Sequence, residues 1–558
     1  MKVVTTMKVL EVNNIDLLGK RFNGYDLKEY INNNTDNTAK QIVTIKMSKD
    51  KNVISFFKNK EVLSKEWKLI EAEKSILSVH SILSFTSNLL IKSKSFKRAD
   101  VIHYHLIHNT HLSLADFDTL CNQKPAVLSI HDPWNFTGRC VHPESCNKWK
   151  TGCNNCPKLD TLFPMKEDNC NFLWKLKKKI YKNIDPDIIV STPYMKEFLK
   201  KSPLTKHFKH VHVVPFGIEL DKFNIKKEQS LSKRHFNIPT GNIVLFLRAQ
   251  KEFKGTEYVL RALKQLKTNK RISILTCSEK GLLDEIKNKY QVIDLGDIKD
   301  DVMIEAYNAC DIFLMPSIGE SFGLMAVEAM ASSKPVIVFN NTALPYVTFA
   351  PECGMLVDNK NSEKLMEAIK ILVENENERK ARGELGRKLA EENYSIEKYN
   401  KRILNIYEKA YKRFKQNRSK INIVNNCNSQ MTQELLIKLK MVYKDVFPGF
   451  KYPTSLSRLM EKKYKAKNIK IDYSKREIRD IIIRFNNEIY KTLLVYNLLY
   501  PLASIKHILV RLYYFIKHNV EVFNTFLRKI PILSSILRKI KHLCIKIISG
   551  GRNEKTKS

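Results

Sequence analysis

The 558-residue sequence contains no uncharged apolar run of about 18 residues, the length a membrane-spanning helix needs, so an integral membrane protein is not expected. Nor does its start resemble a secretory signal, because Met1–Ile15 mixes Lys2, Lys8, Glu11 and two Asn with its apolar residues. Cysteine is sparse, eleven in the whole chain, which excludes a disulfide-built scaffold. Acidic residues are also scarce: 58 Asp+Glu face 96 Lys+Arg, a net charge of +38. So large an excess points to a polyanionic partner, such as nucleic acid, acidic membrane or phosphorylated ligands. What is present, 43% hydrophobic and 28% charged residues, is the composition of a folded globular protein. The length suits two or three domains better than one core.

The charge is unevenly spread. Residues 401–558 carry 35 Lys+Arg and 10 Asp+Glu, a net of +25, which leaves +13 for the first 400 residues. The tail is therefore expected to be a separate functional unit. Before it, short apolar runs alternate with helical patterns. Strands are expected at Lys8–Asn13, Gln41–Lys46, Asp100–Leu106, Ala126–Ile130, Asp187–Ser191 and Val211–Val214. A second series follows the polar stretch Lys226–Arg234, at Ile243–Arg248, Arg271–Thr276, Val292–Leu295, Asp311–Met315 and Pro335–Phe339. Helical patterns fall at Gly255–Lys267, Asp301–Cys310 and Phe322–Ser332. Apolar strands separated by helices argue for parallel sheets covered on both faces. The expectation is α/β: two doubly wound Rossmann-like domains, 1–225 and 226–395, with a cleft between them where the strands' carboxyl ends meet.

The stretch Pro316-Ser-Ile-Gly-Glu320-Ser-Phe-Gly-Leu-Met-Ala-Val-Glu328 leaves a strand and enters a helix. Glu320 then lies on the loop that opens the helix, ahead of the N–H groups of Phe322, Gly323 and Leu324. Such a terminus attracts anions through its unpaired donors and dipole. Glu328, two turns on, could accept hydrogen bonds from vicinal hydroxyls such as those of a ribose. The plain alternative places it on a solvated face. A second element, Arg248-Ala-Gln-Lys-Glu-Phe-Lys254-Gly255, also runs from strand to helix, and its two cations could flank a diphosphate.

The ordered set Arg248…Lys254-Gly255, Leu295-Gly296-Asp297, Asp311…Pro316-Ser317 and Glu320-Ser-Phe-Gly…Glu328-Ala resembles the retaining glycosyltransferases of the GT-B fold, family 4. The Glu-x7-Glu pair is the most specific element, and the resemblance runs from about Met7 to Lys415, roughly three quarters of the chain. It implies a nucleotide-sugar donor, a UDP- or GDP-sugar, with Arg248 and Lys254 on its diphosphate and Glu320 on the sugar hydroxyls. Ser321, Phe322, Gly323 and Leu324 would line the same site, with Glu328 on the ribose. No Asp-x-Asp motif appears in a convincing context, so no catalytic divalent metal is expected. Residues 396–415, within Tyr394–Arg413 and beyond, resemble the closing helix that returns to the first domain.

On the first domain, His131 in Ser129-Ile-His131-Asp132 matches the family's cleft histidine and could touch the donor sugar or the acceptor hydroxyl; a structural histidine at a strand end is the alternative. Gly19 and Gly24 bracket a loop after the first strand, and with Asp132 they are acceptor-side candidates, although the loop lacks the family's paired glycines. His103, His105, His108 and His111 cluster nearby, in structural or acceptor-lining roles rather than as metal ligands. Cys140-x5-Cys146-x6-Cys153-x2-Cys156 sits in an insertion at 137–157. Its spacing suits a structural zinc, with disulfides or free thiols as alternatives. His131, Asp132, Thr137, Gly138, Arg139, the cysteines and Pro157 resemble an insertion found in a subset of these enzymes, including one of colanic acid biosynthesis.

The resemblance ends at Lys415. In 416–558, expected to be a basic, mainly helical extension, Phe526, Ile530, Leu533, Leu537, Ile540 and Cys544 recur at helical steps with Arg and Lys off the stripe. Such a helix could lie on an anionic membrane or cap the enzyme; nucleic acid is not expected. Taken with the family, these features imply a cytoplasmic enzyme, peripheral at the inner face of the membrane, that glycosylates a lipid-linked glycan of surface polysaccharide. The rivals are a nucleotide-sugar epimerase on the same fold and a non-catalytic basic lipid- or nucleic-acid-binding protein.

Overall fold

The computed structural model describes residues 6–57, 59–108, 112–224, 228–417, 442–443, 482–483 and 485–491. The expected extension and its amphipathic stripe therefore lie almost wholly outside the described residues, as do His111 and the expected domain boundary at 225 and 226. Two compact units divide the chain, 1–485 and 486–558, and both sheets belong to the first.

The first sheet holds β1 (Lys8–Ile15), β2 (Thr38–Ile45), β3 (Val53–Ser55), β4 (Val101–His105), β5 (Ala126–Ile130), β6 (Asp187–Val190) and β7 (Val211–Val213) in the order β3-β2-β1-β4-β5-β6-β7. The second holds β8 (Ile243–Ala249), β9 (Ile272–Ser278), β10 (Gln291–Asp294), β11 (Ile312–Met315), β12 (Val336–Phe339) and β13 (Met355–Val357) in the order β10-β9-β8-β11-β12-β13. Every pairing is parallel. The eleven expected strands are present within a few residues of their expected bounds. The two not expected, β3 and β13, are three-residue edge strands, too short for a run of apolar residues to mark them.

Residue alternation explains why the second sheet is covered on both faces. Val244 and Phe246 of β8 enter one core cluster, and Leu245 and Leu247 enter the other. Successive strand side chains point to opposite faces, so an unbroken apolar strand must be buried twice. Each sheet reverses its winding once, between β1 and β4 and between β8 and β11, and those two crevices carry the residues of interest.

The sheets are tied together by paired crossings of the chain. The Ile218 N–H donates to the Tyr394 carbonyl at 2.8 Å, and the Ile396 N–H donates to the Ile218 carbonyl at 3.1 Å. The helix Ile396–Asn417 then returns to the first sheet, as expected of a closing helix. Tyr399, Ile403, Tyr407 and Ala410 form its buried stripe, at steps of four, four and three. Arg413 near its end pairs with Asp187 of β6.

Two buried carboxyls in the first domain form no salt bridge among the described residues. Glu66, on the helix Lys60–Ala72, receives the Ser84 hydroxyl at 2.6 Å, and Glu73 receives the Ile82 N–H at 2.7 Å. Burial pushes each up to about 8 from an ordinary 4.5, against these hydrogen bonds. The folded state thus holds more protons than the unfolded one between those values. Its stability is greatest at the acid side of that window and falls as pH rises through 8. Thermal denaturation should show this as a falling midpoint, about 1 kcal/mol per pH unit for each group, which Glu66→Gln and Glu73→Gln together should flatten.

Candidate active site

The cleft is built by two loops leaving the crevice of the second sheet. After β8, Gly255 adopts φ 70°, and a Cβ there would lie 2.0 Å from the Pro316 carbonyl oxygen. Only glycine lets the loop after β8 lie against the loop after β11. That approach places the Lys254 ammonium 2.7 Å from Glu320 Oε2. Burial would push the Glu320 carboxyl up, but Lys254 and then His142 more than offset it and hold it below its ordinary range. Gly323 caps the helix Leu324–Ala331, whose first turn faces the same space.

The resulting pocket, about 240 Å³, is lined by Arg248, Lys254, Glu320, Ser321, Phe322, Gly323 and Leu324 from the second domain and by Phe22, His131 and Phe216 from the first. The sequence motifs thus converge on one cavity. Arg248 has no ion pair or hydrogen bond among the described residues, so its guanidinium is available. The buried hydroxyls of Ser317 and Ser321, which line the same pocket, have no hydrogen-bond partner among the described residues. Unmatched buried polar atoms are costly unless something meets them, and here they face a cavity beside a free cation.

Glu328 departs from the plain expectation of a solvated face: it is 3% exposed. Its carboxylate accepts from the Tyr307 hydroxyl at 2.8 Å and pairs with Arg21, which also lies 3.7 Å from Asp300. Burial pushes its pKa up, and Arg21 and Tyr307 pull against that. Neither Arg21 nor Tyr307 was legible as a site residue, because each meets Glu328 from a distant part of the chain.

The loop between Gly19 and Gly24 contributes through Arg21 and Phe22 rather than through its glycines. A Cβ at Gly19 would strike the Phe22 ring and one at Gly24 would strike Glu11, so these positions are small for packing. Asp132 is not among the residues lining that 240 Å³ pocket. Its carboxylate accepts from the Trp134 N–H at 2.8 Å, capping the turn Pro133–Phe136, and lies 3.2 Å from His108 Nε2.

Cys140, Cys146, Cys153 and Cys156 line one cavity of about 520 Å³ together with Cys170. Among the described residues, however, the group of His, Cys, Asp or Glu whose ligand atoms all lie within 4.8 Å of one another is Glu11, His103 and His105. Those three are joined to one another and to their neighbours by hydrogen bonds, as a buried polar network. The thiols are not gathered into a tetrahedral zinc site. Burial and their mutual proximity push Cys140 up to about 11 and Cys153 up to about 12. Two buried basic side chains organise the backbone of the insertion. Lys177 donates to the carbonyls of Trp134, Thr137 and Gly138 at 2.6, 3.0 and 3.1 Å. Arg139 donates to the carbonyls of Lys158, Thr161 and Leu162. The insertion also spans the cleft, with Glu144 3.0 Å from Lys360 and the His142 ring 4.7 Å from that of Phe253.

Comparison with known proteins agrees with this architecture. Residues 228–389 match the family described as Glycosyl transferases group 1. The chain is similar to the glycosyl transferase WcaC of Escherichia coli K12, named for colanic acid biosynthesis, being 35% identical over 91 residues, 15% of this chain and 22% of that one. It is 24% identical over 321 residues to the D-inositol 3-phosphate glycosyltransferase of Corynebacterium jeikeium, 54% of this chain and 71% of that one. In fold it is like Anabaena HepE solved with UDP and glucose, with a TM-score of 0.50 at 15% identity over 72% of this chain and all of that one. Sucrose-phosphate synthase of Thermosynechococcus elongatus gives a TM-score of 0.51 at 16% identity over 73% of this chain and all of that one. The second domain thus matches the group 1 glycosyl transferase model, and the two-sheet fold is the GT-B-like fold of these structures. The first relative is spanned for under a quarter of its length, so what this chain acts on is a separate question.

Lys254→Met would leave Glu320 buried without its counter-ion. Urea unfolding should show a loss of about 1–3 kcal/mol. Gly255→Ala should cost at least as much, because the clash is with backbone that has no rotamer to escape into.

Proposed function

We propose that the chain transfers a sugar from a nucleoside-diphosphate donor to an acceptor hydroxyl, with retention at the anomeric carbon. The observation that carries this reading is the convergence, in one cavity, of an unpaired guanidinium, a Lys–Glu pair and two unmatched hydroxyls at a helix N-terminus. Arg248 and Lys254 would hold the diphosphate. Their attraction grows as the leaving nucleoside diphosphate gains charge, so they favour the transition state over the bound donor. Glu320, ionised beside Lys254, would accept hydrogen bonds from the donor sugar's hydroxyls. Glu328 would receive the ribose. Its carboxylate oxygens can accept several donors, so a ribose hydroxyl would adjoin Tyr307 and compete with Arg21. Ser321, Phe322, Gly323 and Leu324 would close over the distal phosphate. His131 would meet a hydroxyl of the donor sugar or the acceptor. No divalent metal is called for, because cations and backbone donors already serve the charge.

The resemblance to family 4 supports retention. The four-cysteine insertion, similar to that of a colanic acid enzyme, supports a lipid-linked oligosaccharide of surface polysaccharide as acceptor. The strongly basic tail suits an anionic membrane surface, with the enzyme peripheral at its cytoplasmic face. Among the described residues no helix is long and apolar enough to cross a membrane. The HepE structure contains UDP and glucose, which makes a UDP-sugar the first donor to test.

A thermal-shift screen of UDP-, GDP- and ADP-sugars should raise the melting midpoint for one base, because a ligand bound only by the folded state stabilises it by mass action. Glu320→Ala should retain that donor's binding in part yet lose at least about 10²-fold in transfer. Release of a free, altered sugar without any acceptor would identify an epimerase instead. Full function in Glu320→Ala and Glu328→Ala, with binding of acidic vesicles or DNA, would identify a non-catalytic basic protein.

A further inference from the structure

Behind the cleft, a run of buried side chains leads from the closing helix to His131, and every hydrogen along it can be placed. The Tyr407 hydroxyl donates to Glu11 Oε1 at 2.6 Å. Glu11 Oε2 faces His105 Nε2 at 2.8 Å and His103 Nδ1 at 3.1 Å. His103 Nδ1 is also 2.6 Å from the Tyr407 oxygen, and its Nε2 is 2.7 Å from the Ser129 hydroxyl. His105 Nδ1 lies 3.2 Å from His131 Nε2. These last two rings are within 9° of parallel with centroids 5.4 Å apart. That separation is close to the most a 3.2 Å nitrogen contact permits, so the rings meet edge to edge along the N···N line.

A carboxylate can only accept. Glu11, fully buried and facing three donors, is ionised: burial would push its carboxyl up, but His103 and His105 overcome this and hold it at about 2. It therefore claims the hydrogen on His105 Nε2. Burial above all, with His103 behind it, holds His105 at about 4, so near neutral pH that ring carries one hydrogen only. Its Nδ1 is then bare and accepts from His131 Nε2–H. His131 is also neutral, since burial first and His105 second keep it well below its ordinary range. The other groups near it do not upset the count. Asp132 is committed to the Trp134 N–H and His108, and Phe22 and Phe216 cover the ring at 5.5 and 5.6 Å. The Phe22 carbonyl also faces the His105 ring, and it would take a hydrogen from Nδ1 only if His105 carried two.

We infer that Glu11 and His105 are positioning residues that lock His131 as the Nε2–H tautomer, so that it presents a bare Nδ1 to the cleft and accepts a hydrogen bond from a sugar hydroxyl. Nδ1 lies across the ring from the nitrogen tied to His105, and it has no partner among the described residues. Gly24 belongs to the same device, because a Cβ there would lie 2.6 Å from Glu11 Oε2. The hydroxyl as ligand rests on the proposed function; the tautomer does not.

The test separates the two. In the full-length protein labelled with ¹⁵N at histidine, long-range ¹H–¹⁵N spectra near neutral pH should show His131 with Nε2 protonated and Nδ1 bare, the signal being assigned by its loss in His131→Gln. A protonated Nδ1 on His131, or a doubly protonated His105, overturns the inference. Glu11→Leu removes the acceptor that claims the His105 Nε2 hydrogen, so His105 and His131 should each populate both tautomers and an Nδ1–H share should appear on His131. A His131 signal that stays wholly Nε2-protonated in a folded Glu11→Leu protein also overturns it. Should that variant not fold, Tyr407→Phe, which keeps Glu11 and His105, must leave the parent tautomer in place, and a changed tautomer there counts against the relay. With UDP-glucose as probe and UDP release as the assay, Glu11→Leu should lower kcat about 10²-fold with donor KM unchanged. If the tautomers behave as stated but neither protein turns over UDP-glucose, the choice of UDP-glucose as donor fails and the relay stands.

Discussion

The site depends on the contact between Lys254 and Glu320, and that contact depends on a backbone approach. Gly255 lets the loop after β8 touch the carbonyl of Pro316, which brings a cation from one strand end within hydrogen-bond distance of a carboxylate from the next. The pair is formed in a cleft where both side chains are mostly withdrawn from water, so its electrostatics are stronger than a surface pair's. It keeps Glu320 ionised despite burial and leaves Arg248 as the unpaired cation. Charge is thus arranged before any ligand arrives, which is the condition for stabilising charge that develops during a reaction.

The first domain answers this with a different use of the same physics. Its buried carboxylate, Glu11, serves not as a ligand to the cleft but as an anchor behind it, reached by Tyr407 from a helix nearly four hundred residues away in sequence. The closing helix therefore does more than cover apolar surface. It completes the hydrogen-bonding of Glu11. Two carboxylates, Glu11 and Glu328, are buried at the reversal points of the two sheets, and each is satisfied by a residue from the opposite part of the molecule.

The insertion shows how a motif can mislead. Four closely spaced cysteines satisfy the spacing of a metal site, but spacing along the chain does not oblige the thiols to converge. Arg139 and Lys177, each donating to three carbonyls, meet the backbone's needs in this region. His142, silent in the sequence, is carried by the same segment to the edge of the cleft.

From the sequence alone came the parallel α/β class, eleven of thirteen strands, the closing helix, and the choice of Arg248, Lys254, Glu320 and Gly323, which the fold gathers around one pocket. These are local matters: apolar strand runs, helix entries and a Glu-x7-Glu spacing are legible because the residues that define them are neighbours. The hydrogen bond from the Trp134 N–H to Asp132 and the spread of the cysteine thiols were not legible, since a local pattern cannot show which way a side chain turns. Only the tertiary structure decided that Arg21 and Tyr307 hold Glu328, that His142 crosses the cleft, and that His131 is tied through His105 to Glu11. Each of these joins segments brought together by the winding of a sheet or the return of the last helix. No periodicity encodes such a meeting, because the energy that selects it is the satisfaction of buried polar groups across the whole fold.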